Sequence, residues 1–319
     1  MSNLNSKIKI SVIGINGQAK RHINMIKNTK SLILQNVYHP EKIKVIDYPN
    51  LPITNKLDDC LDSDGIILAS PTKYHYRQLS HLKGFTGYIL LEKPASDDIN
   101  EINNLLTLSE SLKERIMVNF NFQFNPIAIE MKKILDSALI GEPLSFIFET
   151  NHGGMFKKSW ANSWRKNQYS NSIYTVGIHY LHWLSCKLSL NISEVNTFSI
   201  QDKIDSGVIN LRLKENIFGT ILTSYSSTLK ININITGTDG YMLYDGNNLS
   251  LYHPRNTFDK DGNFDFPPLE KQLNIPWKSA YNESVEKSFN LFVNHIYKKI
   301  LFPVENFEND VKIFKQLIG

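Results

Sequence analysis

The first half of the chain alternates short apolar runs with amphipathic stretches. Residues 8–13 hold Ile8, Ile10, Val12 and Ile13, apolar toward both faces, which predicts a buried parallel strand. A helix from about Ala19 to Lys27 follows, and a second strand is expected from about Leu32 to Tyr38, ending at His39-Pro40. The segments 64–70 (DGIILAS), Tyr88–Leu91 and Ile116–Val118 read as three more strands, with a helix around Tyr76–Lys83. Such alternation predicts an α/β domain of the Rossmann type, a doubly wound parallel sheet. Its ligand crevice is expected at the carboxyl ends of the strands. Gly14, Ser70-Pro71, Glu92-Lys93-Pro94 and Asn121 all fall at such ends.

The pattern then changes. Ile127, Ile129, Met131, Ile134 and Leu135 mark an amphipathic helix from Pro126 to about Ser137, closed by Gly141. Strands are predicted near 144–152, 193–201, 206–213, 217–226, 229–236 and 241–245, with turns at Gly237–Gly240 and Asp245-Gly246. This describes a large, mostly antiparallel open sheet in a second α/β domain. Inside the stretch 152–189, Ser172 to Leu184 reads as a buried helix. Tyr252 to Pro276 is polar and irregular and reads as a long loop. Helices over Tyr281–Lys299 and Asn306–Leu317 end the chain. The expected division is a dinucleotide-binding domain over 1–122 and a substrate-binding and oligomerisation domain over 123–319.

Composition narrows the class. With 319 residues, 41% hydrophobic and 21% charged, the chain can bury two cores. The net charge is +4 and the pI about 8.8, but the lysines are scattered. Mild basicity of this kind suits a phosphate-bearing small molecule and argues against a nucleic-acid partner. Cys60 and Cys186 have neither metal spacing nor the density of a disulfide framework. The first residues lack a signal-peptide core, and no apolar run approaches the roughly 20 residues of a membrane span. A soluble, cytoplasmic protein without a membrane partner is expected.

Set against the dinucleotide pattern G-x-G-x-x-G/A, the turn after the first strand holds Gly14, Asn16 and Ala19. Gly14 permits the tight turn and Ala19 still allows close packing of helix on strand. Asn16 replaces the middle glycine, and Gly17 beside it can shift the turn. Gly14, Asn16, Gly17, Gln18 and Ala19 are the expected pyrophosphate contacts. A strand–turn–helix without ligand is the plain alternative. At the end of the second strand, where a carboxylate would hold the ribose hydroxyls of NAD, the sequence has His39, and the next acid is Glu41. NADP is therefore as plausible as NAD, with Lys42 and Lys44 nearby for a 2′-phosphate.

Several short motifs recur in a fixed order: the glycine turn ending in Arg21-His22, Ala69-Ser70-Pro71-Thr72 with His75, Glu92-Lys93-Pro94, Phe124-Asn125-Pro126, Ile140-Gly141-Glu142-Pro143, Trp164-Arg165 and Gly177-Ile178-His179. In this order the chain resembles the Gfo/Idh/MocA oxidoreductases, named for glucose–fructose oxidoreductase and inositol dehydrogenase. The resemblance implies an NAD(P)-dependent dehydrogenase or reductase acting on a secondary hydroxyl or keto carbon of a sugar, cyclitol or nucleotide sugar, in either direction. It implies that Lys93 lies by the nicotinamide and the substrate hydroxyl, where an ammonium can stabilise an alkoxide. It assigns His179 as the second catalytic group. Cofactor contacts extend to His39, Ser70, Pro71, Thr72, His75, Glu92, Lys93 and Asn121, and substrate contacts to Lys93, Trp164, Arg165, Thr175 and His179. It also implies a homodimer or homotetramer through the second sheet, and no metal.

The match has departures. The family aspartate four residues before the histidine is Thr175, and the one three residues after it is His182. Thr175 can hydrogen-bond a substrate but cannot act as a charged relay. Two further readings follow: a catalytically lapsed dinucleotide-binding sensor or scaffold, and an NAD-dependent glycosidase of the same family.

Overall fold

Six short parallel strands form the first sheet: β1 (Ile8–Ile13), β2 (Leu32–Tyr38), β3 (Ile53–Thr54), β4 (Gly65–Leu68), β5 (Tyr88–Leu91) and β6 (Ile116–Val118). Their order is β3-β2-β1-β4-β5-β6. From β1 the chain builds outward one way through β2 and β3, then the other way from β4. The reversal beside β1 opens a crevice at the carboxyl ends of β1 and β4, where ligands bind doubly wound sheets. The computed structural model describes residues 7–40, 50–156, 171–186, 190–200, 203–213, 217–255 and 258–318. Every residue of β4 and β5 is buried, as expected of strands covered on both faces.

The chain divides into two compact units, one of Met1–Phe120 with Ser288–Gly319 and the other Asn121–Lys287. The expected division carried everything after residue 122 into the second domain, whereas here Ser288–Gly319 packs with the first unit. The cause is packing. A Cβ placed on Gly65 of β4 would lie 2.6 Å from Ile296 Cδ1 and 3.1 Å from Phe292 Cζ, so these side chains fill the space that the glycine leaves. Phe314 stacks on Phe120 with ring centroids 5.5 Å apart, and the Lys113 ammonium meets Glu308 at 2.6 Å. The last segment therefore covers the first sheet.

The second unit holds an eight-stranded sheet of order β14-β13-β12-β11-β7-β10-β9-β8. Its strands are β7 (Pro143–Asn151), β8 (Leu190–Ile200), β9 (Lys203–Leu213), β10 (Ile217–Ser224), β11 (Lys230–Gly237), β12 (Tyr241–Tyr244), β13 (Asn248–Tyr252) and β14 (Leu269–Asn274). Only β7 and β10 run parallel. Strict alternation puts Phe146, Phe148, Ile221, Ile233 and Ile235 on one buried face. Against it lies the helix Ile178–Ser185, with Tyr180 and Trp183 4.8 and 6.0 Å from the Phe148 ring.

Two differences from the sequence reading stand out. The expected loop from 252 to 276 contains β14, whose six residues include five exposed ones and so carry no alternating apolar signal. The helix expected from Ser172 to Leu184 begins as a π-helical turn, Ile173–Gly177, before becoming α-helical at Ile178. Among the described residues no helix is long and apolar enough to cross a membrane.

Candidate active site

Gly14 closes β1 with φ +116°, a backbone state that side chains oppose. Its N–H donates to Tyr38 O at 3.0 Å, and a Cβ there would stand 2.7 Å from Ala69 O. The glycine is thus what allows the ends of β1 and β4 to meet. Gly17 (φ +59°) caps the helix Gln18–Asn28 with no side chain of its own, and a Cβ there would meet nothing within 4 Å. No acid occupies the first turn of that helix, so the partial positive charge of its amides is not neutralised there. Ala19 is fully buried against the sheet while Asn16 is exposed at the turn. An exposed, uncrowded helix N-terminus of this kind fits a pyrophosphate. Gly14→Ala should cost about 1–3 kcal/mol of stability through strain and weaken NAD(P)H binding. Thermal melts and NADH fluorescence titration check both, and wild-type values in each would refute it.

Beyond the turn, a buried polar network fixes the Glu92-Lys93-Pro94 segment. Glu92 sits at the end of β5, buried, with its N–H donating to Leu68 O at 2.9 Å. Its Oε1 lies 2.9 Å from His22 Nε2 and accepts from Asn119 Nδ2 at 2.7 Å. Ser288 Oγ in turn donates to Asn119 Oδ1 at 2.6 Å. Burial alone would raise the Glu92 carboxyl. The His22 hydrogen bond and charge, the Lys93 ammonium and the Asn119 amide outweigh it and hold the carboxyl below its usual range. Lys93, next in the chain, is half-buried.

His75 ties two strand ends together. Its Nδ1 is 2.8 Å from Pro94 O and its Nε2 2.8 Å from Ser70 O. A neutral imidazole donates to one carbonyl only, whereas the imidazolium donates to both. Burial nevertheless keeps its pKa below the usual value, against the pull of both carbonyls and of Glu92 and Asp97. Ser70 turns its hydroxyl to Gln78 Oε1 at 2.6 Å, and Thr72 is buried. These residues and Pro71 follow β4 beside Gly14, with the Ser70 hydroxyl and the His75 ring engaged by the protein. His39 follows β2 and donates its N–H to Thr54 O at 2.9 Å. Glu41, Lys42 and Lys44 lie outside the described residues.

In the second unit, His179 is half-buried in the first turn of the helix Ile178–Ser185, and Thr175 is buried in the π turn before it. Thr175 Oγ1 donates to Asn171 O at 2.7 Å and shares a hydrogen bond with the Tyr225 hydroxyl. The His152 ring lies on Tyr225, centroids 4.6 Å apart. Asn121 belongs to this unit and donates to Ser284 Oγ at 2.7 Å. The amide engaged with Glu92 is Asn119, two residues earlier. Trp164 and Arg165 lie outside the described residues. Sequence reasoning gave His22 no role, although a signal was present: it shares the buried face of its helix with Ala19, Ile23 and Ile26. A polar group there needs a buried partner. Tyr225 had no such signal. Among the described residues no cluster of His, Cys, Asp and Glu could hold a metal.

Residues 8–120 match the family model described as "Oxidoreductase family, NAD-binding Rossmann fold", and residues 128–243 match the Gfo/Idh/MocA C-terminal domain. The chain is 24% identical to glucose-6-phosphate 3-dehydrogenase of Bacillus subtilis over 300 residues, 86% of this chain and 83% of that protein. It is 26% identical to the putative oxidoreductase YceM of Salmonella typhimurium over 136 residues, which span 41% of this chain and 44% of YceM. The crystal structure of myo-inositol 2-dehydrogenase from Lactobacillus plantarum superposes with a TM-score of 0.75 at 14% identity, covering 97% of this chain and 95% of that one. Two matched domains in the expected order, over the fold described, lead to one conclusion: the chain belongs to the Gfo/Idh/MocA family of NAD-binding oxidoreductases.

Proposed function

We propose that the protein transfers hydride between a nicotinamide and a secondary hydroxyl or keto carbon of a sugar, cyclitol or nucleotide sugar. The observation that carries this reading is Lys93, half-buried directly after a carboxylate that His22 and Asn119 hold in place. A bound NAD(P) supplies the hydride acceptor or donor. The turn from Gly14 to Ala19 holds its pyrophosphate, with Ser70, Pro71 and Thr72 as the adjoining rim. On the first unit, the Lys93 ammonium stabilises the alkoxide left when the hydroxyl gives up its proton, or the one that forms in the reverse direction as hydride reaches the keto carbon. On the second, His179 takes the hydroxyl proton, or returns it in the reverse direction. Thr175 has no charge with which to take a proton from His179.

The strand end that would hold a ribose-binding acid carries His39, which supports acceptance of NADP alongside NAD. The outer face of the second sheet exposes Ile147 (52%) and Phe218 (66%), which supports a homo-oligomer through that face. The test is a panel of inositols, glucose 6-phosphate, nucleotide sugars and their keto forms, offered with NAD(H) and NADP(H) and followed by nicotinamide absorbance. Turnover with at least one polyol or keto-sugar is expected. Tight cofactor binding with no turnover would favour a sensor, and release of a glycosidic leaving group without net NADH would favour a glycosidase.

A further inference from the structure

We propose that Thr175, Tyr225 and Asp205 are positioning residues that set the helical turn carrying His179, through buried hydrogen bonds whose directions are fixed. The inference rests on the reading of His179 as the proton-handling group.

These directions follow from counting protons. Thr175 has one hydroxyl hydrogen, and Asn171 O, 2.7 Å away, can only accept it. The bond that Thr175 shares with Tyr225 must then be donated by Tyr225. The same carbonyl of Asn171 also takes the Thr175 N–H at 3.2 Å. Thr175 is therefore tied by main chain, by its own hydroxyl and by a phenol in the π turn that leads directly into His179. A single π turn in a helix is a common mark of a functional position.

Tyr225 is held on both flanks by one buried carboxylate. Its N–H donates to Asp205 O at 2.8 Å. After it in the chain, Ser226 Oγ donates to Asp205 Oδ2. Before it, Ser224 Oγ lies 2.7 Å from Ser206 Oγ, and Ser206 donates to Asp205 Oδ1 at 2.8 Å, so Ser224 is the donor to Ser206. Ser172, at the start of the π turn, donates to Asp205 O at 3.1 Å. Asp205 thus links the strand end that bears Tyr225 to the turn that Tyr225 grips. A carboxylate 1% exposed is costly to bury, and here it is met by serine hydroxyls on both oxygens. A role in fixing Tyr225 accounts for its presence in a site where an apolar residue would pack at lower cost.

The experiment compares Thr175→Val, Thr175→Ser, Tyr225→Phe, Asp205→Asn and the double variant Thr175→Val/Tyr225→Phe in the full chain. Two readouts are taken: steady-state kinetics on the substrate that the panel identifies, and the His179 ring signal in a histidine-labelled NMR spectrum, assigned with His179→Gln. Thr175→Val and Tyr225→Phe should lower kcat by about 10–100-fold, the scale of a misplaced catalytic group. KM for NAD(P) should be unchanged, and the His179 signal should shift. Thr175→Ser should restore the rate, Asp205→Asn should move the signal as Tyr225→Phe does, and the double variant should be no slower than the slower single. Unchanged kcat and an unmoved His179 signal in both single variants would overturn the inference, as would loss of rate in Thr175→Ser equal to that in Thr175→Val. If the wild type turns over no substrate, the reading of function fails, and the NMR signal alone decides the positioning role.

Discussion

Lys93→Ala is expected to bind NAD(P) like the wild type and to lose turnover by about 10²–10⁴-fold, the range of a removed proton-transfer group. The binding half of the expectation follows from where the pyrophosphate contacts lie. Gly14, Gly17 and the amides at the start of Gln18–Asn28 are main-chain features that a change at Lys93 does not touch. The turnover half follows from charge: the ammonium is half-buried, and removing it leaves the developing alkoxide without its counter-charge. His179→Ala should fall by a similar factor, again with cofactor affinity preserved. Stopped-flow hydride transfer and NADH titration separate the two effects. Near-normal rates in both variants would remove the catalytic assignment.

Glu92→Ala should be the most damaging single change to the first unit, costing about 3–5 kcal/mol, because it leaves buried partners of a charge without it. His22 Nε2 and Asn119 Nδ2 would both face a void. Glu92→Gln keeps the shape and allows the pH dependence to be read. The folded carboxyl is held below its ordinary range, so its stabilising contribution is fully present above that range. It is lost as pH falls through the folded-state value. The stability gap between wild type and Glu92→Gln, measured by denaturant unfolding, should be largest near neutrality and narrow below about pH 4. A gap that stays constant as the pH falls would show that the ionised carboxylate is not what holds this corner.

Much of the fold was legible because its signals are local. The ends of β2, β5 and β6 match their apolar runs residue for residue, since each run is bounded by polar or turn-forming residues. What could not be read depends on distant partners. β14 is an exposed edge whose only reason to be extended is pairing with β13. The π turn at Ile173–Gly177 has ordinary helix-compatible residues, and what occupies it, the Tyr225 hydroxyl, comes from 50 residues away. In the site, Gly14 and Lys93 declare themselves through motifs. The placement of Asn119 rather than Asn121 beside Glu92 is a matter of register at the end of β6, below the resolution of any periodicity argument.

The return of Ser288–Gly319 to the first unit has a consequence for biosynthesis. The second unit is an insertion, entered after Phe120 and left before Ser288. During translation, all of Asn121–Lys287 is made before the residues that cover β4 exist. Although domains are commonly completed from the amino end as they emerge, here the nucleotide-binding unit, begun first, is finished last. A released chain ending at Lys287 should resist protease in its second unit while Gly65 and its neighbours stay uncovered, and NAD(P) capture should wait for Phe292 and Ile296 to be made.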